Sequence, residues 1–309
     1  MKNGLLLVNL GSPADTTTEA VKHYLNVFLG DPNVVTMPRM LWQPILKNFI
    51  LPKRSPRSAA LYREIWTEEV SPLIVYTERL RQKVQEELPE WDVQMAMTYE
   101  QPAIADKIAE MKSRDENIIV LSLFPQFTQS SAQSIIDQVK AVDPSIPVID
   151  RFGEEEAYLD VLAKQIQEHW EKDEYDRLMI AYHGIPQSMV KHGDPYEFQT
   201  EMTFNLLKKR LDIPADKIKM VYQSKFGPMP WLQPYLNKTL VEEAKSGTKK
   251  VLVSPISFVT DCLETLHEDG IENRDLFLEN GGEKLTLVPA LNDRKEFAEF
   301  VAEFVQRYA

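Results

Sequence analysis

Cysteine is almost missing from this chain of 309 residues, with Cys262 its single example. One thiol forbids an intrachain disulfide and leaves no four-cysteine set for zinc or an iron–sulfur cluster. Phosphate loops are missing as well. Neither GxGxxG nor GxxxxGK followed by Ser or Thr occurs, and the first apolar run is followed instead by Asn9-Leu10-Gly11-Ser12-Pro13, which argues against a nucleotide cofactor. Hydrolase signatures (GxSxG, HExxH) do not occur either, and His23, His169, His183, His192 and His267 are too scattered to define a closed metal site. No apolar run reaches the roughly 18 residues that a membrane span requires. The first residues enter a short apolar run with no small-residue cleavage site, so the chain is expected to be cytoplasmic. Positive charge is in deficit, 35 Lys and Arg against 47 Asp and Glu, and the net charge of −12 weighs against nucleic acid as a partner.

What is present is the profile of a globular α/β protein, 43% hydrophobic and 27% charged. The length suits two domains of roughly 150 residues each. Short β-branched runs alternate with longer amphipathic stretches, the pattern of parallel strands joined by helices. Strands are expected at 5–9, 93–97, 118–123 and 147–150, then at 178–182, 219–222, 251–254 and 284–288. Helices are expected at 17–28, 71–87, 103–111, 130–142 and 155–171, then at 196–211, 231–245, 262–279 and 294–308. Each half thus offers a four-stranded parallel sheet flanked by helices. The lobes are expected at 1–150 and 151–309, the last helix packing back on the first lobe. One segment breaks the pattern: Met37–Pro52 is strongly apolar, carries Pro38, Pro44 and Pro52, and is followed by Lys53-Arg54-Ser55-Pro56-Arg57. Prolines at that density argue against one long regular helix. The segment reads either as a hairpin of short helices or as an apolar lip (about 37–57) over a flat ligand, with the cations taking its acid groups.

His183 follows the run 178–182 directly, in Tyr182-His183-Gly184-Ile185-Pro186. A strand ending there places an imidazole at the carboxyl edge of the sheet, where open α/β folds bind ligands. Neutral imidazole binds a metal or takes a proton near neutral pH. The strand 251–254 leads toward Glu264, and if it lies in the same parallel sheet both groups open on one edge. One nitrogen and one oxygen ligand suit transient handling of a metal better than permanent binding. Glu264, Glu268 and Glu272 recur at four-residue spacing, near one helix face, and a local π-bulge would align them better. Such a row could pass a hydrated divalent cation inward; a solvated acidic face is the plain alternative.

Motifs along nearly the whole chain resemble the ferrochelatases. They are Gly4-Leu5-Leu6-Leu7-Val8-Asn9-Leu10-Gly11-Ser12-Pro13, Ser71-Pro72-Leu73, Phe124-Pro125-Gln126-Phe127 and Tyr182-His183-Gly184-Ile185-Pro186, then Gln223-Ser224-Lys225-Phe226-Gly227, Pro230-Trp231-Leu232 and Phe258 through Leu266. The resemblance implies two Rossmann-like, chelatase-like lobes with a porphyrin in the cleft between them. It implies that Fe²⁺ is inserted into the porphyrin as two protons leave, in haem biosynthesis. His183 and Glu264 would be the metal and proton-handling pair, with Glu268 and Glu272 as outer carboxylates. Leu10, Ser71, Phe127, Tyr182, Trp231, Phe258 and Asp261 would lie around the macrocycle. No permanent cofactor is implied, since iron is the substrate, and no iron–sulfur cluster. Porphyrin and ferrous iron would be the partners of a monomer, with peripheral membrane contact through Met37–Pro52.

Three departures from the family pattern stand out. Many relatives carry His where this chain has Cys262. Gram-positive relatives acting on coproporphyrin III typically carry a tyrosine where this chain has Leu10, which leans the expectation toward protoporphyrin IX, with both porphyrins left open. The C-terminal cysteine cluster of some relatives does not occur. Two other readings stay open: a cobalt chelatase for a sirohydrochlorin-type tetrapyrrole, and a cytosolic haem- or metal-binding protein without catalysis.

Overall fold

Leucine and β-branched runs become strands where they are buried on both faces. In the computed structural model, which describes residues 2–114 and 117–309, the strands β1 (Asn3–Asn9), β2 (Asp92–Met97), β3 (Asn117–Ser122) and β4 (Val148–Ile149) form a parallel sheet in the order β2-β1-β3-β4. A second parallel sheet, in the order β6-β5-β7-β8, comprises β5 (Arg177–His183), β6 (Ile218–Gln223), β7 (Lys250–Pro255) and β8 (Lys284–Leu287). Every strand expected from the sequence forms, within a residue or two of its expected ends.

The chain divides into two units, one made of Met1–Arg151 with Asn292–Ala309 and the other of Phe152–Leu291. The first unit carries α1 (Thr18–Phe28), α2 (Arg39–Ile45), α3 (Leu51–Ile65), α4 (Pro72–Glu87), α5 (Ile104–Lys112) and α6 (Ser134–Val142). The second carries α7 (Glu156–Trp170), α8 (Gln187–Lys191), α9 (Tyr196–Lys208), α10 (Leu236–Lys245) and α11 (Arg274–Glu279). The final helix, α12 (Lys295–Gln306), belongs to the first unit, where it packs on α4 and Lys83 pairs with Asp293 at 2.9 Å.

The core of each unit lies on its central strand. Leu5–Val8 of β1 and Leu178–Tyr182 of β5 are fully buried, as expected for parallel strands covered on both faces. Each such leucine or valine contributes roughly 1.5–3 kcal/mol on burial, so these strands anchor the loops that leave their carboxyl ends.

Four segments depart from expectation, one of them the helix expected at 130–142, which opens as a π-helical turn, Gln129–Gln133, before α6. The proline-rich 37–52 segment is not a hairpin. It runs from α2 through a π-helical turn, Leu46–Ile50, into α3 with helical backbone at both junctions. Pro52 is the second residue of α3, and the π-turn lies between Pro44 and Pro52, where the hydrogen-bond ladder must re-register. Met40, Leu41 and Phe49 along this run are 90%, 63% and 64% exposed. The expected helix 231–245 begins only at Leu236, because Pro234 disfavours helical backbone in the residue before it. The expected helix 262–279 is a ten-residue π-helix, Glu264–Asn273, followed by α11. Among the described residues, no helix is long and apolar enough to cross a membrane.

Candidate metal and proton-handling site

His183 is the last residue of β5, in register with Gln223 at the end of β6. Parallel pairing with β7 on the other side brings the carboxyl ends of all three strands to one edge of the second unit. The chain then turns at Gly184, whose N–H donates to the Gln223 carbonyl at 2.9 Å. A Cβ there would meet that carbonyl oxygen at 3.0 Å and the Trp231 ring at 3.3 Å, so glycine allows strand end and indole to close up.

The imidazole is held in one tautomer. His183 Nδ1 lies 2.7 Å from the Gly184 carbonyl oxygen. A carbonyl only accepts, so the proton is on Nδ1 and Nε2 keeps its lone pair. Behind the ring, the His183 backbone N–H donates to Ser257 Oγ at 3.0 Å, and that oxygen also bonds the Tyr196 hydroxyl at 3.0 Å. Burial pushes the imidazole pKa down; the Glu264 carboxylate and the Gly184 bond oppose that shift without overcoming it. His183 is therefore neutral near pH 7. Trp231 and Phe258, both partly exposed, flank it at ring-centroid distances of 6.3 and 6.0 Å, and Phe258 meets it edge-on. The result is a basic nitrogen set in an aromatic wall.

Glu264 opens the π-helix, and its carbonyl accepts from Gln223 Nε2 at 3.2 Å. Along the row, Glu264 and Glu268 are partly buried, while the Glu272 side chain is 50% exposed and lies 3.8 Å from His267 Nδ1. Exposure thus increases toward Glu272, while the Glu264 charge acts on the His183 ring. Burial, reinforced by Glu264 and Glu272, raises the Glu268 carboxyl to about 7, against two hydrogen bonds from Ser224 that favour its ionised form. The Cys262 thiol is held well above its usual value, first by burial and then by Glu264, so it stays protonated and unreactive. Among the described residues, no three His, Cys, Asp or Glu side chains converge to hold a metal ion.

Two expected porphyrin contacts need correction. Tyr182 is fully buried and packs on Tyr222, because alternation along β5 sends it to the face opposite His183. It supports the wall rather than lining it. Asp261 is 3% exposed, and its Oδ1 accepts from Thr265 Oγ1 at 3.0 Å and from the Ala290 N–H at 3.1 Å; it fastens the loop that leads into the π-helix. Leu10, Ser71 and Phe127 belong to the first unit. Leu10 follows β1 in a turn where Gly11 takes φ +105°, with no room for a side chain against the Tyr99 carbonyl. Ser71 is the buried N-cap residue of α4, and Phe127 is partly exposed beyond β3. Ser224, Gln223, Ser257 and Tyr196 were not singled out as site residues from the sequence; Gln223 and Ser224 lay inside a noted motif, yet nothing local signalled their bonds.

Comparison with known proteins agrees along the whole chain. A ferrochelatase family model matches residues 2–309. The coproporphyrin III ferrochelatase of Limosilactobacillus reuteri is 60% identical over 306 residues, covering 99% of each chain. That of Lacticaseibacillus paracasei is 48% identical over 310 residues, covering 99% of this chain and 96% of the relative. The structure of SirB from Bacillus subtilis with Fe³⁺ superposes with a TM-score of 0.55 at 13% identity, covering 100% of this chain and 96% of that one, a likeness of fold alone. On the family match and these identities, the chain belongs to the ferrochelatase family.

Proposed function

We propose that this ferrochelatase, a lyase-type metal chelatase of haem biosynthesis, acts on coproporphyrin III. Relatives at 45–60% identity over nearly the full chain carry that activity in their names. They outweigh the leaning toward protoporphyrin IX drawn from Leu10 alone. Coproporphyrin III also carries more propionate arms than protoporphyrin IX, and the first unit offers Arg39, Lys53, Arg54 and Arg57 along α2 and α3, with Arg39, Lys53 and Arg57 exposed.

The observation that carries the reaction is the state of His183: Nδ1 committed to Gly184, Nε2 free, and the ring neutral. A free-base porphyrin has two inner N–H groups, and both protons leave as Fe²⁺ enters. A neutral imidazole accepts the first as general base. Glu264 binds the desolvating iron or takes the second proton. Trp231 and Phe258 offer aromatic faces against which a macrocycle can be held bent, exposing its nitrogen lone pairs to the metal. Glu268 and Glu272 stand behind Glu264 as the path for the cation.

Anaerobic metallation of each porphyrin, followed by absorbance, tests the assignment. Coproporphyrin III should turn over at the higher kcat/KM. A preference for protoporphyrin IX would reverse the substrate assignment. Tight haem binding with neither porphyrin metallated would replace the enzyme by a haem carrier.

A further inference from the structure

Beside His183 the sheet of the second unit runs out of backbone partners. Strand β7 ends at Pro255, and just beyond it the Ile256 N–H donates to the Ala181 carbonyl of β5 at 3.0 Å. Alternation along β5 makes the His183 N–H the next donor on that side. It donates to a side chain, Ser257 Oγ, at 3.0 Å. Ser257 is 7% exposed, and its Oγ lies 3.0 Å from the hydroxyl of Tyr196, itself 4% exposed. A serine hydroxyl has two lone pairs and one proton, so it takes the N–H and still pairs with the phenol. Tyr196 opens α9, and its own N–H donates to Asp194 Oδ1 at 3.0 Å.

His183 is thereby held through both flanking peptides. The peptide before it is tied to Ser257, on the β7 side, and the peptide after it to β6 by the Gly184 N–H bond to the Gln223 carbonyl at 2.9 Å. A residue has only two soft backbone dihedrals, and pinning the peptide plane on each side removes both. The Nδ1 bond to the Gly184 carbonyl then sets the ring.

We infer that Ser257, braced by Tyr196, is a positioning residue for the general base: its hydroxyl stands in for the missing rung of the β5 ladder and fixes the direction in which His183 Nε2 points. The inference rests on the ferrochelatase reading above. Ser257 and Tyr196 lie behind the ring and act on the reaction only through His183.

The test is single-turnover metallation, by Fe²⁺ under anaerobic conditions, of coproporphyrin III prebound to the enzyme, with porphyrin Kd measured beside it. Ser257→Ala and Tyr196→Phe each delete one hydroxyl and keep the rest of the side chain. Ser257→Ala leaves the His183 N–H without its acceptor, and the rate should fall about ten-fold, the equivalent of one lost hydrogen bond, with Kd unchanged. Tyr196→Phe leaves that acceptor in place and should slow the step by less. Each substitution is also made in His183→Ala. With no imidazole left to aim, neither should slow that variant further, because groups that act through one another do not add. A general structural defect would slow both backgrounds alike.

A wild-type rate in Ser257→Ala would overturn the inference. So would a Ser257→Ala loss that persists undiminished in His183→Ala. Porphyrin affinity falling in step with the rate would overturn it too, since the bond would then serve the neighbouring Phe258, which flanks the ring. A larger loss in Tyr196→Phe than in Ser257→Ala would reverse the order of action and reject Ser257 as the positioning group. Failure of the wild type to metallate any porphyrin, or a wild-type rate in His183→Ala alone, would instead overturn the parent reading, and this inference with it.

Discussion

Glu268 and His183 are both shifted by burial, in the directions that make each uncharged. The Glu268 carboxyl rises to about 7, while the His183 imidazole falls below its usual value. Only the ionised carboxylate takes a cation, so Glu268 is competent above about pH 7 and loses Fe²⁺ as pH falls through that value. His183 must be neutral to accept a proton, and it stays so to lower pH. Since kcat/KM reports the free enzyme's groups, the profile for Fe²⁺ should fall on the acid side in two stages, the first near pH 7. Glu268→Gln should remove that first stage and keep the second. Persistence of the limb near pH 7 in the variant would assign it to another group. His183 was legible in the sequence because a strand followed at once by His-Gly-x-Pro has few other places to put its imidazole. Ser224 was not legible, because a left-handed serine (φ +64°) depends on tertiary contacts with a residue 44 positions away.

The π-helix is the element on which the site turns, and it carries a carboxyl group that burial disfavours. Asp269 is fully buried; its Oδ1 accepts from Asn273 Nδ2 at 2.9 Å, while Oδ2 has no hydrogen-bond partner. Burial, then the charge of Glu268, holds this carboxyl well above its usual value. The folded state therefore keeps a proton that the unfolded state releases above about pH 4. Stability falls as pH rises through that window. Asp269→Asn removes the titration and keeps an oxygen for Asn273. Its melting temperature should gain on the wild type as the pH is raised from about 5 to about 8. Equal differences at both pH values would show that Asp269 ionises freely in the fold. The four-residue carboxylate spacing was visible in the sequence, and a π-bulge was the expected local device. Its extension over ten residues was not visible, because i→i+5 bonding is set by packing and leaves no distinct period.

At the scale of the molecule, the two units repeat one plan, with a central first strand and the order two-one-three-four in each sheet. The eight strands could be read from the sequence because parallel strands buried on both faces are uninterrupted apolar runs. Their order could not, since such runs carry no information on which neighbour each will pair with. The hairpin reading of 37–52 fails for the opposite reason: its prolines predict breaks, yet a π-turn between them keeps the backbone helical. What this architecture delivers is one neutral imidazole nitrogen, in an aromatic wall, within reach of the Glu264 charge. The most direct measurement is single-turnover metallation of prebound coproporphyrin III by Fe²⁺ in His183→Ala, with porphyrin affinity measured alongside. Removal of a general base is expected to slow the step by about 10²–10⁴-fold while porphyrin binding is retained. Metallation at a near wild-type rate in this variant would contradict the account, leaving His183 as a part of the wall and nothing more.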